Sequence, residues 1–292
     1  MPSEKTLPKF ILIGPDTENT RDLLQEIEAR GCSATLIKLR DVLFEFVAGR
    51  SIATWRGLDL DAFDIFIFRG YDKNLLFAQL LARNLLAQKK VVLDETLGGN
   101  YLSGKNTEAL FFSQKNILHP RTYQAVSISA HKKILPNLKF PIIVKPVDGQ
   151  KGQGIEKFDD VESAMAFFQK NPKNFLIQEY LPIDGDIRIF VVDGKVLGAI
   201  KRMVIPGDYR SNASLGAVAK KFLPTPAMEV LALQAVSVMD YEVAGVDLIE
   251  NDGKLYILEV NIAPQWQKFK EITGINPAKH IINYAIEKYE KN

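Results

Sequence analysis

Cysteine is nearly absent from this chain of 292 residues: Cys32 is the only one, so no intrachain disulfide can form, and a reducing compartment is expected. Histidine is scarce as well. His119, His131 and His280 lie far apart, and with a single thiol they cannot assemble an ordinary zinc site. A bound metal must therefore be held mostly by oxygen. No apolar run approaches the twenty residues needed to span a bilayer. The run Phe10–Ile13, after a polar Met1–Lys9, is too short for a signal-peptide core. Charge of one sign is missing too: 37 basic against 35 acidic residues leave +2, which argues against a broad nucleic-acid or acidic-membrane footprint. The expectation is a cytoplasmic globular protein with neither nucleic acid nor membrane as partner. Repeats and low-complexity tails are absent.

What is present begins as strand and helix in alternation. Phe10–Ile13 reads as a strand stopped by Gly14-Pro15, Thr20–Arg30 as a helix stopped by Gly31, and Ala34–Leu39 as a strand. Asp64–Phe68 (strand), Leu75–Gln88 (helix) and Val91–Leu93 (strand) complete a parallel α/β pattern. A helix-like segment follows between Tyr101 and Tyr123. Next come strands at Ile142–Lys145, Ile155–Phe158 and Phe175–Glu179, with a helix at Val161–Lys170. Two hairpin patterns, Ile187–Lys201 and Val243–Val260, flank a helix at Thr225–Met239, and a last helix covers Lys279–Tyr289.

Three constellations carry chemistry. In the first, a strand delivers Lys145 to a loop containing Gly149, Gly152 and Gly154. Glycines let successive N–H groups turn toward one point, which suits a phosphate chain. The spacing is neither the Walker loop nor the Rossmann fingerprint, and a tight hairpin with a surface lysine is the plain alternative. The second is Asp247 with Glu259 and Asn261. Glu259 and Asn261, two apart on one strand, share a face. A three-residue turn Asn251-Asp252-Gly253 would put Asp247 on that face, opposite Ile257. A two-residue Asp252-Gly253 turn would send it to the other face. Three converging oxygens suit magnesium; the alternative is carboxylates neutralised by nearby cations. The third is Arg210 in the loop Gly207–Asn212, a fork donor matched to phosphate or carboxylate, or else a solvated turn residue. Lys105 and the strand end Gln178-Glu179-Tyr180-Leu181 are weaker features.

In this order the motifs resemble the ATP-grasp superfamily, specifically RimK-type carboxylate–amine ligases. The resemblance covers Lys105 to about Gly274 through Gln178-Glu-Tyr-Leu, Gly185-Asp-Ile-Arg-Ile-Phe-Val-Val-Asp-Gly-Lys-Val, Gly207-Asp-Tyr-Arg-Ser-Asn, Ala244-Gly-Val-Asp and Leu258-Glu-Val-Asn-Ile-Ala-Pro. It implies an N-terminal α/β domain (1–100), a small central lid (101–184) and a C-terminal mixed-sheet domain (185–292), with ATP between the last two. It further implies Lys105 and Lys145 on the nucleotide phosphates, Glu179, Tyr180 and Leu181 on adenine, and Asp186 on ribose. Arg210, Ser211 and Asn212 match the phosphate and acyl-phosphate stretch, and Asp247, Glu259 and Asn261 the ligands of magnesium or manganese. Arg210 and Lys145 are the expected catalytic pair. The implied reaction joins a carboxylate to an amine (an amino acid, peptide, protein terminus or cofactor acid) through an acyl phosphate, with ADP and phosphate released. A catalytically silent nucleotide-binding regulator, or a peptide-crosslinking or cofactor-tailing ligase, is the alternative. The family often forms dimers or tetramers, so a homo-oligomer is an expectation. The chain departs from the family at Gln150-Lys151, at Ser214-Leu-Gly216-Ala and at Ile262-Ala-Pro264-Gln265, the latter two where substrates should dock.

Overall fold

The computed structural model describes residues 7–71, 73–99, 101–102, 104–147, 154–171, 174–204 and 218–292. Its first sheet is parallel, in the order β2-β1-β6-β7, from β1 (Lys9–Ile13), β2 (Ser33–Ile37), β6 (Ile65–Phe68) and β7 (Val91–Leu93). Helices α1 (Glu18–Glu28) and α2 (Leu75–Ala87) make its crossovers. Thr17 caps α1 reciprocally with Thr20, satisfying N–H groups that the first helical turn leaves open. Between β2 and β6 runs a three-stranded antiparallel meander not anticipated above: β3 (Val42–Val47), β4 (Arg50–Trp55) and β5 (Leu58–Asp59).

Helix α3 (Lys105–Gln114) leads to a second sheet, β10-β9-β11-β8, wholly antiparallel. It comprises β8 (Thr122–Gln124), β9 (Ile142–Pro146), β10 (Glu156–Phe158) and β11 (Phe175–Glu179), with α4 (Ile128–Ile134) and α5 (Val161–Lys170). Leu135, Ile142, Val144, Phe168, Phe175 and Ile177 form its separate small core. Phe112 of α3 packs instead with the core of the third sheet.

The third sheet runs β14-β13-β12-β15-β16. Its strands are β12 (Gly185–Val192), β13 (Lys195–Met203), β14 (Ala219–Phe222), β15 (Val243–Asn251) and β16 (Lys254–Asn261). One face, with Ile187, Ile189, Val191, Val246 and Leu248, packs on α6 (Pro226–Met239). The other face is divided along its length. Phe190, Val192 and Val243 meet Trp266, α7 (Gln267–Thr273) and α8 (Pro277–Lys291), in a core continuous with Phe10, Leu12 and Leu23 of the first sheet and α1. The remaining end of that face is polar. Both long hairpins turn on Asp-Gly pairs with positive φ at each residue: Asp193 at 51° and Gly194 at 62°, Asp252 at 48° and Gly253 at 70°. This is the type I′ geometry that matches strand twist.

Candidate active site

The β15–β16 turn has two residues, since Asn251 pairs with Lys254. By alternation alone this turn puts Asp247 on the face opposite Glu259. The ladder shows otherwise. Leu248 pairs with Ile257, then the register shifts, and Asp247 pairs directly with Glu259 and Gly245 with Asn261. One extra residue on β16, Leu258, is a β-bulge that restores the parity. Asp247, Glu259 and Asn261 therefore share one face, through a bulge rather than the expected three-residue turn.

Two arginines that the motif reading left without a role complete this face. Arg188 pairs across the sheet with Asp247, and Asp186 with Arg202. Arg188 donates from Nε and Nη2 to the two Asp247 oxygens at 2.6 and 2.5 Å. Arg202 reaches Asp247 at 2.9 Å and also holds the buried Asp186 carboxylate. Burial alone would raise the Asp247 pKa, but the two guanidinium groups outweigh it and hold the carboxyl below its usual range. Asp186, expected at a ribose, is 1% exposed and engaged with Arg202. The sequence signal for both arginines was available: a charge inside an apolar strand such as Asp186-Ile-Arg188-Ile-Phe requires a buried partner.

Glu259 faces the central sheet, where its Oε1 accepts from Lys105 Nζ at 3.0 Å. Lys105, Glu108, Lys145, Gln178, Ile257 and Leu258 line a narrow cleft between α3, the β9–β11 pair and β16. Burial lowers the Lys145 ammonium to about 8, Glu259 opposing that and Lys105 adding to it. Burial and the Glu259 charge push Glu108 well above the ordinary carboxyl range. The cleft and the adjoining face gather four basic groups (Lys105, Lys145, Arg188, Arg202) among four carboxyl groups (Glu108, Asp186, Asp247, Glu259), and the basic groups are of the kind that hold phosphates.

Just past Gln178, Glu179 Oε1 accepts from the Arg121 N–H at 2.8 Å, and Tyr180 lies under the Lys157 ammonium at 4.9 Å. Glu179 ends β11, where it pairs with Ile142, and Tyr180 and Leu181 lead on toward β12. Gly154 is in the left-handed region at φ 71°, where a Cβ would meet Pro146 at 2.9 Å. Gly149, Gly152, Arg210, Ser211 and Asn212 lie outside the described residues. No cluster of three His, Cys, Asp or Glu side chains suited to a metal occurs among the described residues. The donor set on the hairpin is two carboxylates and an amide: Asn261 directs its NH2 toward Gly245 O at 3.5 Å. The set is all oxygen, the chemistry a hard cation would take, but Arg188 and Arg202 hold both Asp247 oxygens and Lys105 holds Glu259 Oε1, so Glu259 Oε2 and Asn261 Oδ1 are the oxygens left to face one.

A RimK-like ATP-grasp domain matches residues 102–285. A probable alpha-L-glutamate ligase 1 of Shewanella sp. (strain ANA-3) is 29% identical over 284 residues, 94% of this chain and 93% of its own. A probable alpha-L-glutamate ligase of Azotobacter vinelandii is also 29% identical, over 95% of this chain and 93% of its own. Among solved structures, the ATP-grasp ligase PsnB complexed with minimal precursor, Mg and ADP superposes with a TM-score of 0.73 at 15% identity, covering 96% of this chain and 98% of that one. D-cycloserine synthetase DcsG gives 0.72 at 15%, covering 96% and 99%.

Proposed function

The chain belongs to the RimK-like ATP-grasp family, and from that premise we propose that it activates a carboxylate as an acyl phosphate and passes the acyl group to the amine of an amino acid. It is a ligase that forms C–N bonds and uses ATP and Mg2+. Glutamate is the first substrate to offer it, because the full-length relatives are named for glutamate. The observation that carries the reading is the β16 bulge, which puts Asp247, Glu259 and Asn261 on one face beside the Lys105–Lys145 cleft.

In this reading Glu259 and Asn261, with Asp247 beneath them, would hold the magnesium, and Lys105 and Lys145 would face the phosphate chain. Bound Mg·ATP supplies a transferable phosphoryl group whose negative charge the metal offsets. Lys145 holds a positive charge inside a dry cleft, where it acts on phosphate oxygens more strongly than in water. Arg188 and Arg202 are fixed by Asp247 and Asp186, so they meet charge developing on the acyl and phosphoryl oxygens without reorganising. Arg210 is the further expected donor to the phosphorylated substrate. Of Glu179, Tyr180 and Leu181, the first two have their N–H groups held by Arg121 O and Pro141 O, so the base would take its backbone contacts from Leu181 and from the carbonyls of the stretch. No protein nucleophile enters, which leaves buried Cys32 without a catalytic part.

The test is ADP release with L-glutamate and a panel of carboxylates and amino acids. Glu259→Gln should reduce magnesium-dependent turnover by about 100-fold or more. Full turnover in that variant removes the metal assignment.

A further inference from the structure

Arg69 stands just past the end of β6, where the crevice of a parallel sheet opens at the carboxyl ends of its strands. It is only partly exposed, yet no carboxylate lies within ion-pair distance of it among the described residues. Its Nη2 donates to Pro264 O at 2.7 Å, and its guanidinium lies over the Trp266 ring at 4.7 Å. These contacts orient the fork without placing a carboxylate against it among the described residues. Asp94, whose charge acts on Arg69, is not in contact with it, and burial and the Glu242 charge push the Asp94 carboxyl up to about 8. Close by, Tyr71 offers a hydroxyl with no partner among the described residues.

The position of this cation is as telling as its chemistry. Pro264, which it holds, rests on Gly245, where a Cβ would meet the proline at 2.8 Å and the Arg188 chain at 3.7 Å. Pro264 therefore lies between Arg69 and the strand carrying Asp247. The floor below is closed by two glycines: a Cβ on Gly14 would meet Arg69 at 3.1 Å, and one on Gly70 would meet Pro15 at 3.0 Å. A desolvated guanidinium without a counter-ion is costly unless an anion completes it.

We propose that Arg69 receives a free carboxylate of the amine substrate, holding it by its guanidinium fork so that the amino group faces the acyl site across Pro264. The substrate class is thus an amino acid with an uncapped carboxylate. This rests on the ligase reading and adds to it a specificity-determining residue.

Calorimetric binding of L-glutamate, glutamine and glutamate α-amide, with a non-hydrolysable ATP analogue and Mg2+ present, tests this apart from turnover. The wild type should bind L-glutamate about 100-fold more tightly than the amide lacking the carboxylate that Arg69 receives. Arg69→Gln should bind acid and amide alike while binding the nucleotide as before, which shows the fold intact. Arg69→Lys, which keeps the charge without the fork, should recover part of the preference. Equal binding of acid and amides by the wild type, no binding of any of the three, or a preference that survives Arg69→Gln overturns the proposal. Selective binding with no phosphate release for any carboxylate partner would leave the Arg69 dock standing and count against the ligase reading instead.

Discussion

Lys145 is the residue at which burial most directly alters what the site can do. Its ammonium titrates near 8 in the folded chain and near 10.4 when unfolded. Between those values the unfolded chain binds the extra proton, so this residue makes stability rise with pH over that window; below about 8 its full desolvation cost is present. Phosphate binding favours the charged form, so nucleotide affinity should fall as pH climbs through 8. A non-hydrolysable ATP analogue bound at pH 8 should draw about half a proton from the buffer. Calorimetry in buffers of different ionisation enthalpy measures that uptake. It should vanish at pH 6 and in Lys145→Arg.

At the scale of elements, His131 on α4 gives another titration with a definite sign. The ring is 3% exposed and stacks on Phe168 of α5 at 4.5 Å, and neither nitrogen has a partner among the described residues. Burial lowers its pKa, so as pH drops below about 6.5 the unfolded chain gains a proton that the folded one refuses. The central sheet should lose stability on acidification until the folded value is reached. His131→Phe should abolish that slope and stabilise by roughly 1–2 kcal/mol, measured by urea unfolding at pH 5 and pH 7. The same scale shows what the sequence made legible. The observed bounds of β1, α1, β6 and β11 lie within two residues of those their apolar spacing predicts. The β3–β5 meander was not legible, because Leu43, Phe46 and Val47 are exposed apolar residues that blur the alternation. Its signals were Gly49 and Gly57, turning at φ 82° and 81°. Helix α7 is too short for a periodic signal. The ligand hairpin is the instructive case: Glu259 and Asn261 were readable from spacing, whereas the bulge at Leu258 is a tertiary outcome, set by which side chains the flanking cores accept.

Across the whole molecule, the first and third sheets share one apolar core and the central sheet keeps its own. The shared part is also latched by polar groups. Asp22 of α1 accepts from Trp266 Nε1 at 2.9 Å, Gln267 Nε2 at 2.9 Å and Lys270 Nζ at 2.7 Å. Asn19 bridges Gln265 and Gln267 beside it. Burial opposes ionisation of Asp22, but these donors prevail and keep its pKa low, so the latch weakens only as pH falls through that lowered value. Asp22→Ala would strand a buried indole N–H and an ammonium. We expect a loss of about 2–4 kcal/mol, read by denaturant unfolding at constant slope. The same change should shift the segment carrying Pro264, and with it the setting of Arg69.

The bulge at Leu258 sits between the Asp252-Gly253 tip and the Asp247–Glu259 pair. It divides the hairpin into two stretches that keep separate phase. Side chains from Leu248 to Ile257 follow the turn, while those nearer the sheet's far end follow the bulge. Natural variation at the solvent-facing tip can therefore proceed without disturbing the alignment of the acidic residues, whereas a single deletion at Leu258 would reverse them at once.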